Sequence, residues 1–205
     1  MTNTTPLQTP SPFDPARARL APIQVAVIAA SVRKDRMSRV LADWAASRAD
    51  AAGAAVDLID LYECTLPDDA LLEPGGGPRS SIADRIEQAD AYVLVTPEYN
   101  HSYPASLKRA IDWHYSEWQF KAATILPYGV QGGLLAAEHL RGVLAELHVV
   151  TTRRCVGLRQ PWNDLDGERY APSGGTESAV DQALAELLWW GVTLRDARRD
   201  RPFEL

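Results

Sequence analysis

Four apolar runs recur along the chain: Ile23–Ala30, Val56–Leu61, Ala91–Val95 and Ala122–Leu126. They are rich in branched residues; the first, third and fourth are almost wholly apolar, while Val56–Leu61 is shorter and carries Asp57 and Asp60. That pattern predicts strands buried on both faces, as in a parallel sheet covered by helices. Between them the apolar spacing changes to a helical one. Val40, Leu41, Trp44 and Ala45 mark a helix over Arg39–Ala52, with Gly53 as its stop. Ser80 or Ser81 is placed to cap a helix running through Ile82 and Ile86 to Ala89. Pro104 opens a helix carrying Leu107, Ala110 and Ile111, and Gly132-Gly133 leads into one carrying Leu134 to Leu147. His148–Thr152 begins a fifth strand that can extend to Val156. Gly157–Gly175 has the Pro, Gly, Asn and Asp content of a loop. Thr176 is placed to cap a last helix with Val180, Leu184, Leu187, Leu188 and Gly191 on one face.

The order β-α-β-α-β-α-β-α-β-α calls for a doubly wound α/β domain. Five strands favour the flavodoxin-like order 2-1-3-4-5 over a six-stranded dinucleotide fold. The domain is expected over residues 23–197, between a proline-rich N-terminal tail (1–22) and a charged, frayed C-terminal tail (198–205). The first tail reads as mobile or as an arm that clasps a partner.

The chain of 205 residues carries 21 basic and 27 acidic side chains, for a net charge of −6. That balance argues against nucleic acid, whose partners present a basic face. No apolar run approaches the ~20 residues that cross a bilayer, and residues 1–22 lack the apolar stretch of a secretory signal. Cys64 and Cys155 form no C-x-x-C pair and fit no zinc spacing. They read as free thiols in a reducing compartment, although spacing alone leaves a disulfide open. The expectation is a cytoplasmic protein without metal, membrane or nucleic-acid partners.

Ligands on such a sheet bind beyond the carboxyl ends of the strands. Three turns there carry chemistry. The first, Ser31–Ser38, precedes a helix and holds Ser31, Arg33, Lys34, Arg36 and Ser38. Helix amides, hydroxyls and a guanidinium suit a phosphate, and a solvated basic turn is the alternative. It matches neither G-x-G-x-x-G nor the NTPase P-loop. The second turn, Thr96-Pro97-Glu98-Tyr99-Asn100-His101-Ser102-Tyr103-Pro104, offers amides and aromatic rings to a planar heterocycle, or is simply a rigid turn between prolines. His101 as a general base and Glu98 as an acid are weaker readings than a Glu98 carboxylate bound to local backbone. The third, Tyr128-Gly129-Val130-Gln131-Gly132-Gly133, lets backbone approach a ligand closely. One anionic end and one flat hydrogen-bonding end together fit a mononucleotide such as FMN.

Three motifs resemble the NAD(P)H-dependent FMN reductase family of flavodoxin-like flavoproteins, over about Ile23 to Arg195. The stretch Ala30-Ser31-Val32-Arg33 through Ser38 is similar to the family's G-S-x-R phosphate loop. Thr96 to Trp113 follows its T-P-E-Y-N-x-S-x-P-x-x-L-K-x-A-I-D-W. Tyr128-Gly129 with Gly132-Gly133 resembles its glycine loop. The resemblance implies that Ser31, Arg33 and Ser38 hold the FMN phosphate. It implies that Pro97, Glu98, Tyr99 and Asn100 line the isoalloxazine, mainly through backbone, and that Tyr128 and Gly129 flank it. Ala30 replaces the usual Gly, and Arg36 and Ser38 stand where many members have small residues or Asn. Hydride would pass from NAD(P)H to flavin N5 and electrons onward to a small acceptor such as flavin or a quinone, with no side-chain acid or base required. The resemblance also implies a homodimer or homotetramer, in which Trp113, Trp118, Trp189 and Trp190 would sit at an interface or in the core. A flavin-binding electron carrier and a non-catalytic interaction module are the competing readings.

Overall fold

In a computed structural model, residues 22–203 are described. The expected N-terminal tail lies outside them, apart from Pro22. The elements run β1 (Gln24–Ala29), α1 (Met37–Ala51), β2 (Ala55–Asp60), α2 (Ala83–Gln88), β3 (Ala91–Pro97), α3 (Ala105–Trp113), β4 (Ala122–Gly129), α4 (Leu134–Glu146), β5 (Val150–Thr151), β6 (Leu158–Arg159), β7 (Leu165–Asp166), β8 (Arg169–Tyr170) and α5 (Gly174–Asp200). The main sheet is parallel in the order β2-β1-β3-β4-β5, with β6 also paired to β4. This is the flavodoxin-like order expected from the strand–helix alternation.

Successive strand residues face opposite layers. Ala26, Ile28, Tyr92, Leu94, Ala123 and Ile125 pack with Ile86 of α2, Leu107 and Ile111 of α3, and Leu140 and Leu144 of α4. Val25, Val27, Val93, Val95 and Leu126 pack with Leu41, Ala45 and Ala49 of α1 and with Val180, Leu184 and Leu187 of α5. Every residue of β3 is buried, which is why its sequence shows no polar alternation.

Two elements differ from the sequence expectation. The fifth strand is two short pieces. After Thr152, whose amide still donates to the Ala123 carbonyl at 2.9 Å, the chain leaves the sheet, and Glu186 of α5 accepts from the amides of Arg153 and Arg154 at 2.7 and 3.3 Å. It returns as β6 against the end of β4, where Tyr128 pairs with Leu158. The last helix begins two residues before Thr176, with Ser173 at its N-cap, and continues to Asp200. Its charged end is tied down: Arg198 donates to the Phe120 carbonyl at 2.6 Å and to Asp90 at 3.1 Å. Phe203 packs against Phe120 in a tilted pair, with centroids 5.1 Å apart. Ser80, rather than Ser81, serves the start of α2, where its hydroxyl accepts from the Ile82 amide at 3.2 Å.

Trp113 and Trp118 are core residues, 2% and 0% exposed, and so cannot form an interface. Trp189 is 56% exposed, and Trp190 packs partly against the α1/α5 core. Cys64 and Cys155 are both free and half-buried, and burial pushes both thiols above their ordinary pKa. Among the described residues no helix is long and apolar enough to cross a membrane.

Candidate functional site

The three turns singled out in the sequence meet at the carboxyl edge of β1, β3 and β4. The turn after β1 leaves a buried strand and enters α1. Ser31 and Ser38 are buried, 1% and 0% exposed. The Ser31 amide donates to the Ser38 hydroxyl at 3.2 Å, which folds the turn onto the start of the helix. The Arg33 amide points back to the Ser31 hydroxyl at 3.4 Å. The α1 N-cap is Arg36, whose side chain makes no capping bond. This end of the helix is therefore a partial positive charge without a capping carboxylate or hydroxyl from its own N-cap.

Tyr99 joins the second turn to the first. Its phenol lies 2.8 Å from the Ser31 hydroxyl, and the Arg33 guanidinium stacks 3.9 Å above its ring. The turn itself is a two-residue reversal. Tyr99 and Ser102 exchange backbone hydrogen bonds at 2.8 and 3.0 Å. Asn100 and His101 between them both have left-handed φ, 51° and 64°. Two consecutive positive φ values are the geometry of a type I′ turn, in which Asn is well tolerated. Asn100 and His101 thereby project at an exposed tip, and neither is drawn in toward the serines.

Glu98 has a different task. Its amide donates to the Tyr128 carbonyl at 2.9 Å, in line with the Pro97–Tyr128 pairing of β3 and β4. Its carboxylate accepts from the Leu135 amide at 3.1 Å. It thus neutralises the start of α4, whose N-cap Gly133 has no side chain for the purpose. The acid role weighed for Glu98 gives way to a structural one, with a backbone partner 37 residues away.

Tyr128 and Gly129 end β4. Burial pushes the Tyr128 phenol well above its ordinary pKa, opposed by hydrogen bonds from the Ser38 side chain and backbone. Gly133, at φ +74°, holds the third turn against this strand end: a Cβ there would lie 2.7 Å from the Tyr128 amide nitrogen. Only glycine allows that approach.

Of the nominated residues, Ser31, Arg33, Ser38, Tyr99 and Tyr128 come together as one cluster, with Pro97, Glu98 and Gly129 forming its backbone frame. Asn100 stands apart at the turn tip. The residue missed was Asp60, at the end of β2. Its buried carboxylate takes the Arg36 guanidinium, with Nη2–Oδ2 at 2.5 Å. The available signal was an acidic residue closing an apolar strand beside a basic turn. The donor set fits a phosphate monoester: two buried hydroxyls, a helix N-terminus and one exposed guanidinium. A planar ring would extend from it along the amides of the second and third turns.

Comparison with known proteins bears on the chain as a whole. Residues 23–163 match the NADPH-dependent FMN reductase family. A 2-hydroxy-1,4-benzoquinone reductase from Burkholderia sp is 32% identical over 144 residues, covering 62% of this chain and 73% of that protein. The quinone reductase of Escherichia coli K12 is 31% identical over 140 residues, 64% of this chain and 74% of its own. Among solved structures, the flavoenzyme NAD(P)H:(acceptor) oxidoreductase FerB from Paracoccus denitrificans superposes with a TM-score of 0.69 at 25% identity. That match covers 83% of this chain and 98% of FerB.

Proposed function

The chain belongs to the NADPH-dependent FMN reductase family, and on that premise we propose how its own residues serve the reaction. It is an NAD(P)H-dependent flavin oxidoreductase with FMN as cofactor. FMN held there would supply the redox chemistry, two-electron transfer from NAD(P)H to a small acceptor. Ser31, Ser38 and Arg33, with the start of α1, hold the phosphate. Pro97, Glu98 and Tyr99 present backbone to the ring, Asn100 shapes the turn beside it, and Tyr128 and Gly129 flank it. The observation that carries this reading is the junction of the serine cluster with Tyr99. A single residue touches both the anionic end and the flat end of the site.

No side chain is assigned as acid or base. Glu98 is occupied by the Leu135 amide, and His101 sits at the exposed turn tip. The acceptor is a quinone or hydroxyquinone, a reading supported by the names of the relatives. A homo-oligomer is supported by the exposed apolar side chains of Val130, Leu134 and Leu135, together beside the third turn. The two unpaired, half-buried thiols suit a reducing cytoplasm. The test is NADH or NADPH consumption by FMN-loaded protein before and after addition of 1,4-benzoquinone. The expected result is quinone-dependent consumption. Consumption that no quinone accelerates would overturn the acceptor assignment.

A further inference from the structure

Arg36 lies in the basic turn but does not serve the phosphate end. Its guanidinium forms a fork on Asp60: Nε reaches both carboxylate oxygens at 3.1 Å and Nη2 reaches Oδ2 at 2.5 Å. The Asp60 side chain is 1% exposed and that of Arg36 10%. Asp60 also accepts from the Tyr62 amide at 3.1 Å, which fixes the carboxylate from behind. The guanidinium lies 4.1 Å from the centre of the Tyr62 ring, and its Nη1 reaches back to the Lys34 carbonyl at 3.5 Å. Arg39 and Glu63 complete the charged groups around it, at 3.5 Å from Asp60 and 3.8 Å from Arg36 respectively.

The consequence lies in where Arg36 sits. It is the N-cap residue of α1, with extended backbone at φ −81° and ψ 122°. Ser38, two residues on, receives the Ser31 amide. A chain of direct contacts thus runs from Asp60 through Arg36 to the start of α1, then to Ser38 and Ser31. Bidentate Arg–carboxylate pairs define direction as well as distance, and binding groups hold their geometry only when a supporting shell locks them.

We propose that Asp60 is a positioning residue for the FMN phosphate: through Arg36 it fixes the first turn of α1, so that Ser31, Ser38 and the leading amides face the phosphate. This rests on the FMN reading of the site. It also makes Arg33, not Arg36, the phosphate's guanidinium.

Riboflavin has the same ring as FMN and no phosphate, so it separates positioning of the phosphate site from general damage. Flavin-fluorescence titrations would compare FMN and riboflavin on the wild type, on Asp60→Asn, and on the double variant Asp60→Asn with Arg36→Gln. The double variant leaves no unpaired buried charge, so it keeps the test open if the single variant fails to fold. Asp57→Asn, which breaks the more exposed Arg85 pair on the same strand, is the control. The expected result is FMN affinity weakened by about tenfold or more in both Asp60 variants. Riboflavin affinity should stay within about twofold, and the control should match the wild type. Unchanged or tighter FMN binding would overturn the proposal, the latter showing Arg36 released onto the phosphate. Equal losses for FMN and riboflavin, or the same FMN-selective loss in Asp57→Asn, would also overturn it. A wild type that does not prefer FMN to riboflavin would instead remove the phosphate-site reading itself, and the inference with it.

Discussion

The two edges of the sheet treat polar groups in opposite ways. At the amino edge, polar groups are spent on one another. Asp90 accepts from the Gln24 amide at 3.1 Å and pairs with Arg195 and Arg198 at 3.5 and 3.1 Å. Lys121 donates to the carbonyls of Ile86 and Glu87 at 2.9 and 2.7 Å, closing the end of α2. The buried Tyr92 phenol shares its one proton between the Ile86 and Glu117 carbonyls, each 2.9 Å away. At the carboxyl edge, hydroxyls and a guanidinium gather at a helix start whose N-cap side chain makes no capping bond, on turns with left-handed residues. The first arrangement joins the end of α5, β1 and α2 into one block. The second leaves Arg33 exposed beside a helix start that its own N-cap side chain does not cap. A parallel sheet lets both coexist, because every β-to-α turn falls at one edge and every α-to-β turn at the other.

Substitutions at the two edges should therefore have separable effects. The largest is expected at the amino edge. Asp90→Ala leaves Arg195, Arg198 and the Gln24 amide without their shared acceptor and should cost about 3 kcal/mol of stability. Urea denaturation would read that loss, while FMN affinity of the folded protein stays unchanged. Weakened FMN binding would break the separation.

Next is Arg33→Ala at the carboxyl edge. It should weaken FMN binding by about 1.5–3 kcal/mol through loss of a charge-assisted contact, with an unaltered denaturation midpoint. Isothermal titration would check the affinity, and an unchanged value would remove Arg33 from the phosphate site.

The amino edge also carries a pH signature. Burial and the nearby Arg198 lower Lys121 to about 7. Between about 7 and the unfolded value near 10.5, the unfolded chain holds a proton that the native one has released. Stability should thus rise with pH across that window, by up to about 1.4 kcal/mol per pH unit from this group. Below it both states are protonated, and the full cost of a buried charge applies. Lys121→Met should flatten the rise, and denaturation at pH 7.5, 8.5 and 9.5 would show it. An equal slope in the variant would assign the pH dependence to another group.

The smallest effect belongs to Glu98→Ala. Losing the bond to the Leu135 amide should cost about 1 kcal/mol of stability, with hydride transfer at the wild-type rate in stopped flow. A collapse of that rate would restore a chemical role to Glu98.

The sheet order was legible because apolar runs such as β1, β3 and β4 alternate with helical spacing, and five such strands favour the 2-1-3-4-5 order. The site's location followed from the same topology. What escaped reading depends on contacts between distant residues. Nothing near Val150 shows that the chain leaves the sheet after Thr152, where Glu186 takes the next two amides. The basic end of α5 looks solvated until Asp90 and the Phe120 carbonyl are seen beneath it. Within the site, the serines, Arg33 and Tyr99 were visible as chemistry. The division of labour between Arg33 and Arg36 was not, since it depends on Asp60, 24 residues beyond Arg36.

The central claim is that the carboxyl edge holds FMN for reduction by a nicotinamide. The most direct test is the visible spectrum of the purified, FMN-loaded protein without oxygen, before and after NADPH or NADH. The account predicts flavin absorption bands that bleach on addition and return with a quinone. Protein that retains no flavin, or whose bound flavin stays oxidised with both nucleotides, would contradict it.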